Sequence, residues 1–294
     1  MKRSLLVLSV ISLLTIVSCS KNNNDLIPEG SKECVLKSAE YSSLSNGVPT
    51  NGKLNYTYDQ NQRISTIKGN LNSSLISEKM TYDQAKILIY GEHVTSWGQK
   101  YEYNEEFNLD AQGRIASMPD LYYNTMVFCK YNEAGFLAEV KKVYTDPFWK
   151  TEITNTQTFS YTNGNLIKLV NETNDSYYPD KVNSWISNIT YTPDELKNDI
   201  VSYKLYEFIF REEANLSHLT AFLGKRSKNL PAKMETTSAY WSSAHTTTTE
   251  TTIRRFIYQK DDNGNALSIK IVEFPTPPPS DTLNEEYKFV YTCN

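Results

Sequence analysis

The chain has 294 residues, with 30 Lys and Arg against 34 Asp and Glu and a formal charge of −4. That balance, with no basic run longer than Lys225-Arg226-Ser227-Lys228, argues against a nucleic-acid partner, which needs a basic face. Twenty-one Tyr and 11 Phe, beside many Thr, Asn and Ser, suit half-buried strands and tight turns and exclude a helical repeat or a disordered chain.

At the amino end, Lys2 and Arg3 precede an apolar run from Leu5 to Val17. The run is short for a membrane span, which takes about 20 apolar residues. Ile16-Val17-Ser18-Cys19 resembles a bacterial lipobox, so residues 1–18 are expected to be a signal peptide and Cys19 a lipid anchor. Ser20 after the anchor favours the outer membrane, either face. Residues 19–33 read as anchor and flexible tether, and 34–294 as a single antiparallel β domain, expected to be a monomer.

From Cys34 onward one pattern recurs: an aromatic strand end, an Asp or Asn, a few turn residues, then aliphatic alternation. Tyr56-Thr57-Tyr58-Asp59-Gln60-Asn61-Gln62-Arg63-Ile64 is the first clear copy and Phe107-Asn108-Leu109-Asp110-Ala111-Gln112-Gly113-Arg114-Ile115 the second. Further copies start at Tyr131, Tyr161 and Tyr258, with degenerate ones at Tyr82 and Tyr191. Each is a hairpin by its chemistry: Gly supplies positive φ, and Asp or Asn bonds the turn backbone. Repeats of this period mean an array of like units. The expectation is all-β: a strongly curved antiparallel sheet or closed barrel of roughly 12–16 strands. One stretch breaks the pattern. Leu216, Leu219, Phe222 and Leu223 have helical spacing, acids precede them and Gly224 follows, predicting a short helix near 213–223 that plugs or caps the sheet.

Besides Cys19 there are Cys34, Cys129 and Cys293. Cys34 opens the first predicted strand and Cys293 closes the last. Antiparallel pairing of those strands sets the two cysteines side by side, so a Cys34–Cys293 disulfide is expected, with Cys129 a buried thiol.

These hairpins resemble YD-repeats. Together with Leu223-Gly224-Lys225-Arg226-Ser227-Lys228-Asn229-Leu230-Pro231, they resemble still more closely a family of secreted Bacteroidetes lipoproteins, the DUF4595 family. The resemblance covers most of residues 34–293. It implies a porin-like fold and no established activity, with lipid binding suggested by shape alone.

Chemistry is sparse. There is no phosphate loop, no His-Glu-x-x-His and no Cys-x-x-Cys; His93, His218 and His245 are isolated in sequence. The acidic pairs Glu105-Glu106, Glu212-Glu213, Asp261-Asp262 and Glu285-Glu286 are expected on the solvated surface. No catalytic residue, metal site or cofactor is predicted. Trp97, Trp149, Trp185 and Trp241 lie near predicted loops or strand ends, with Tyr122-Tyr123, Phe148 and Tyr177-Tyr178 nearby. They are the candidate ligand contacts. Asp281-Thr282-Leu283, after a Pro-rich loop, resembles an O-glycosylation acceptor, which makes Thr282 a candidate modification site. A missing apolar lipid-facing band speaks against an integral membrane barrel. Two roles lead: holding an apolar or lipid-like ligand inside the curved sheet, or binding glycan or protein through loop aromatics. An enzyme ranks last.

Overall fold

The structure, a computed structural model, describes residues 34–45, 48–71, 73–120, 124–146, 148–177, 182–195, 216–241, 247–262, 264–276 and 284–293. The expected signal segment, Cys19, the tether and Thr282 lie outside them. Sixteen strands run in chain order. They are β1 (Cys34–Ser45), β2 (Val48–Tyr58), β3 (Ile64–Leu71), β4 (Ser74–Tyr82), β5 (Lys86–Val94), β6 (Lys100–Leu109), β7 (Ile115–Asp120) and β8 (Thr125–Tyr131). Then come β9 (Leu137–Thr145), β10 (Glu152–Thr162), β11 (Asn165–Asp175), β12 (Val182–Glu195), β13 (Asn229–Trp241), β14 (Thr247–Lys260), β15 (Ala266–Thr276) and β16 (Asn284–Cys293). Each strand pairs antiparallel with its sequence neighbour, and β1 pairs with β16 to close a barrel. Closure removes the sheet edges on which other chains could pair.

The repeated residues explain the turns at one end. Asp59 accepts from the backbone N–H of Arg63 at 2.9 Å and from its Nε at 2.8 Å. Asp110 holds Arg114 in the same way, at 2.9 and 2.8 Å. The fourth turn residue takes positive φ, Gly113 in one copy and Gln62 in the other. The two guanidinium groups then lie over the rings of Tyr82 and Tyr131, 4.3 and 4.1 Å from the centroids.

The recurrent tyrosine is a latch between strands. Its hydroxyl donates to a carbonyl near the start of the preceding strand: Tyr58 to Leu36 at 2.7 Å, Tyr82 to Ile64 at 2.6 Å and Tyr131 to Ile115 at 2.7 Å. Tyr191 to Leu166 at 2.7 Å, Tyr258 to Pro231 at 2.8 Å and Tyr291 to Ala266 at 2.9 Å repeat it, so that six of the eight strand pairs are latched. Burial pushes the Tyr58 phenol up to about 12 and those of Tyr82 and Tyr258 higher still, as expected where the neutral form is held.

Strand alternation sends one set of side chains inward. In β4 these are Ile76, Glu78, Met80 and Tyr82, and in β5 Ile87, Ile89, Gly91 and His93. At the latched end the inward set is fully packed: Ile87, Ile115, Leu137, Leu166 and Ile269 have essentially no exposed surface. A water-filled lumen at this level would wet them, so this half of the barrel is a core and not a pore.

The segment between β12 and β13 joins that core. The expected helix is a 3-10 helix at Leu216–Phe222, where residues three apart stack in one line, and the residues ahead of 216 lie outside the described set. It buries Leu219 and Leu223, and Phe222 stacks on Tyr82 with ring centroids 5.7 Å apart. Beyond it, Lys225 N–H donates to Gly135 O and Lys228 N–H to Gly164 O, both at 2.9 Å. Ser227 Oγ accepts from Leu166 N–H at 3.1 Å. The Lys-Arg-Ser-Lys run is therefore a backbone strap across the turns, and burial brings the Arg226 guanidinium down to about 10.

The outer face is polar. Lys53 pairs with Glu40 at 2.7 Å, Lys86 with Glu106 at 2.6 Å, Lys100 with Glu92 at 2.7 Å and Lys130 with Glu139 at 2.7 Å. Exposed apolar residues are scattered among charges: outward Ile257 lies opposite Lys270, which lies opposite Glu286. The apolar belt of a membrane-spanning barrel is not formed by these residues.

Candidate functional site: a cup above a filled floor

Toward the opposite end the inward side chains become polar, aromatic and accessible. Tyr101, Tyr240, Asn183 and Glu250 are exposed, and His93, Tyr144, Asn155, Thr173 and Trp185 are partly so. This half is a cup whose floor is the packed core.

The loops β5–β6, β9–β10 and β11–β12 all lie at the cup's mouth, since alternate hairpins of an up-and-down barrel share an end. They present Trp97 (91 % exposed), Phe148 (87 %), Trp149 (78 %) and Tyr177 (64 %). Asx turns shape two of these loops: Asp146 accepts from Phe148 and Trp149 N–H at 2.8 and 2.7 Å, and Asp175 from Tyr177 N–H at 2.8 Å. The last two loops are tied together. Ser176 N–H donates to Glu152 O, and Glu152 N–H to Ser176 Oγ, both at 2.9 Å.

The four tryptophans thus part company. Trp97 and Trp149 stand on the rim. Trp185 points into the cup from β12 and packs partly on the core. Trp241 ends β13. Tyr122, Tyr123, Tyr178 and His245 lie outside the described residues, and His218 lies within the 3-10 helix. His93 is an inward β5 residue whose ring is 6.4 Å from that of Tyr101.

Glu105 corrects one surface expectation: it faces inward, and burial pushes its carboxyl up to about 6, whereas Glu106 faces out to Lys86. In the last acidic pair Glu285 faces inward, accepting from Tyr287 Oη at 2.8 Å, and Glu286 outward. Parity on the strand decides each outcome. Asp261 is a turn cap, bonding Asn265 N–H at 2.8 Å. Glu212-Glu213 lies outside the described residues.

The sequence reading missed Glu78. It is buried on the cup floor and accepts a hydrogen bond from Tyr103 two strands away. Gly91 makes this reach possible: it lies between them in register, and a Cβ there would sit 2.0 Å from the Tyr103 ring. Desolvation drives the Glu78 carboxyl up to about 7, against the Tyr103 hydrogen bond and with help from Glu105. The signal was in the alternation, since Glu78 occupies an inward position between Ile76 and Met80. Also missed were Gln157 and Asn171, buried side by side in register on β10 and β11. Asp120, another buried inward acid, is paired with Lys142 at 2.7 Å. On the outer wall, Lys53, Lys68, Leu75 and Glu92 border a shallow open groove over β2–β5 that lacks the aromatics of the cup.

Backbone register places Cys34 directly opposite Cys293, and Cys129 is a buried free thiol whose ionisation burial pushes up to about 12. No cluster of three or more metal-ligating side chains occurs among the described residues.

Solved structures share this architecture. A porin-like protein from Bacteroides uniformis ATCC 8492 matches with a TM-score of 0.56 at 14% identity, covering 87% of this chain and 98% of its own. A porin-like protein from Bacteroides vulgatus ATCC 8482 matches with a TM-score of 0.55 at 12% identity, covering 88% and 99%. The fold is porin-like. At such identity the likeness extends to the fold alone. No family model matches the chain, and no curated protein does.

Proposed function

We propose that this protein is a non-enzymatic cell-envelope barrel, held at the outer membrane by lipid on Cys19, that binds glycan at the open end of its cup. Resemblance of the hairpins to the DUF4595 lipoproteins and the porin-like fold support the envelope setting.

The observation that carries the binding reading is the placement of Trp97, Phe148, Trp149 and Tyr177, solvent-facing, around one mouth. Flat aromatic faces bury sugar C–H surfaces, while the polar cup beneath supplies hydrogen bonds to hydroxyls. The aliphatic interior supports an apolar ligand less well, because its residues are already packed against one another. The charged outer face fits a barrel beside the membrane better than one within it.

The test is isothermal titration of the protein with a panel of soluble oligosaccharides built from glucose, mannose, xylose and N-acetylglucosamine, beside organic extraction of the purified protein. Binding of at least one member, weakened tenfold or more by Trp149→Ala with Trp97→Ala, is the expected result. A stoichiometric lipid in the extract with no sugar binding would replace glycan by the apolar ligand.

A further inference from the structure

The inner wall made by β10, β11 and β12 carries a row of side chains at the upper edge of the core, outside the tyrosine latches, of which only Trp185 packs partly on the core. Gln157, Asn171 and Trp185 are direct partners in register across the three strands. Each shares the inward parity of the next buried residue along its strand, Phe159, Leu169 and Ser187. Directly opposed residues hold their Cβ atoms about 4.5–5.5 Å apart, so two amides and an indole form a continuous platform.

Asn171 is 6% exposed, and its Oδ1 has no hydrogen-bond partner. Native proteins seldom leave a buried acceptor in that state without a function or a bound group to explain it. The surroundings are already satisfied. In the row nearer the mouth, Asn155 Nδ2 donates to Thr173 Oγ1 at 2.8 Å, and Lys142, opposite Asn155, pairs with Asp120 at 2.7 Å. In the row below, the hydroxyls of Ser187 and Thr236 bond at 2.7 Å. The wall is thus polar and organised, with the Asn171 oxygen left without a partner and covered by its neighbours. Asn171 lies four residues below the end of β11, or about 13 Å at roughly 3.3 Å per residue. Directly above are the tied loops that bear Phe148, Trp149 and Tyr177.

We propose that this wall is a subsite for a single hydroxyl-rich pyranose ring, the deepest unit of a glycan whose outer units lie on the rim aromatics. Trp185 takes the apolar C–H face of the ring, Asn171 Oδ1 accepts from one of its hydroxyls, and the Gln157 amide serves a neighbouring one. The chemistry selects among ligands. A hydrocarbon chain leaves Oδ1 unsatisfied, and an anion meets a carbonyl dipole of the wrong sign. A sugar hydroxyl supplies the missing donor. The inference rests on the glycan reading and narrows it from the rim to the wall.

The experiment compares wild type, Asn171→Leu, Trp185→Phe and Trp149→Ala by titration with the oligosaccharide that the wild type binds, beside thermal melts of each. Asn171→Leu keeps volume and removes the open acceptor, so it is expected to weaken binding tenfold or more while raising the melting temperature. Trp185→Phe keeps an aromatic ring of smaller face and is expected to cost three- to tenfold. Binding lost in Trp149→Ala but unchanged in Asn171→Leu and Trp185→Phe would leave glycan on the rim and overturn the subsite, with the Asn171 oxygen serving only a water. If no oligosaccharide binds the wild type, the glycan reading and the subsite fall together. Should Asn171→Leu not fold, shifts of the Asn171 and Gln157 side-chain amide resonances on titration decide the matter: movement supports the subsite, and its absence sinks it.

Discussion

The two halves of this barrel are built from the same strands but solve different problems. At the latched end the described inward residues are mostly aliphatic or aromatic, turns are short and capped by Asp or Asn, and a strap crosses the opening. At the mouth the same strands, a few residues further along, turn Asn, Gln, Thr, Glu and Trp inward and end in loops with exposed rings. The difference teaches that a sheet's stability can be concentrated at one level, which frees another level for polar groups that a core would not accept. The cup tolerates a buried, unpartnered Asn171 oxygen because the packed half beneath it holds the barrel shut.

That contrast can be broken most directly at the seam. β1 and β16 are the one neighbouring pair that is not consecutive in the chain, and Cys34 and Cys293 are register partners across it. Directly opposed Cα atoms lie about 4.5–5.5 Å apart, inside the range a disulfide spans. A bridge there, closing a loop of nearly the whole domain, is expected to contribute about 5 kcal/mol in the chain-entropy picture. Mass spectrometry before and after reduction reads the bond. A melting temperature in Cys34→Ser equal to wild type under oxidising conditions would show that the seam holds without it.

Next in size is the 3-10 helix ahead of the strap. Leu219→Ala empties a fully buried position and is expected to cost about 2–5 kcal/mol by denaturant unfolding, with sugar affinity at the mouth unchanged. Equal damage to both would mean that the halves are not separable.

Glu78 marks the boundary, and its effect depends on pH. Its folded carboxyl sits at about 7, above its ordinary value of 4.5. Between those values the folded state binds the extra proton, so Glu78 lowers stability as pH rises from about 4.5 to 7, with the full loss present above 7. The sign is opposite to that of a salt-bridged acid. Glu78→Gln is expected to gain about 2–3 kcal/mol at pH 8 and nothing at pH 4, read from unfolding midpoints across that range. A gain independent of pH would mean that the carboxyl is not held neutral.

Smaller still is a single latch. Tyr82→Phe removes the 2.6 Å bond to Ile64 O and should cost about 1 kcal/mol. Trp149→Ala on the rim should stay within about 0.5 kcal/mol in stability, which sharpens the division: the rim changes binding and the latches change folding.

Much of the latched half is legible in the sequence, because its chemistry is local. Tyr-Asp followed by Gln-Arg, or Leu-Asp followed by Gly-Arg, states a turn, a cap and a strand end within nine residues. Leu219 and Leu223 announce a buried segment by spacing. The cup is not legible in that way. Glu78, Gln157 and Asn171 gain their meaning only from partners 14 to 25 residues away, as Asn171 from Gln157 and Glu78 from Tyr103. Parity within a strand was available and pointed inward, but acids beside lysines such as Lys79 read equally well as solvated surface until the register is known. Even Trp185 looked like Trp149 until strand pairing turned one into the cup and left the other on the rim.

The tally of strands has a geometric consequence. Sixteen is even, so β1 begins beside the point where β16 finishes, and both lie at the sealed end. Any attachment made ahead of Cys34 therefore grips the barrel by its base. The aromatic crown stands at the other end, the full length of the strands away from that point.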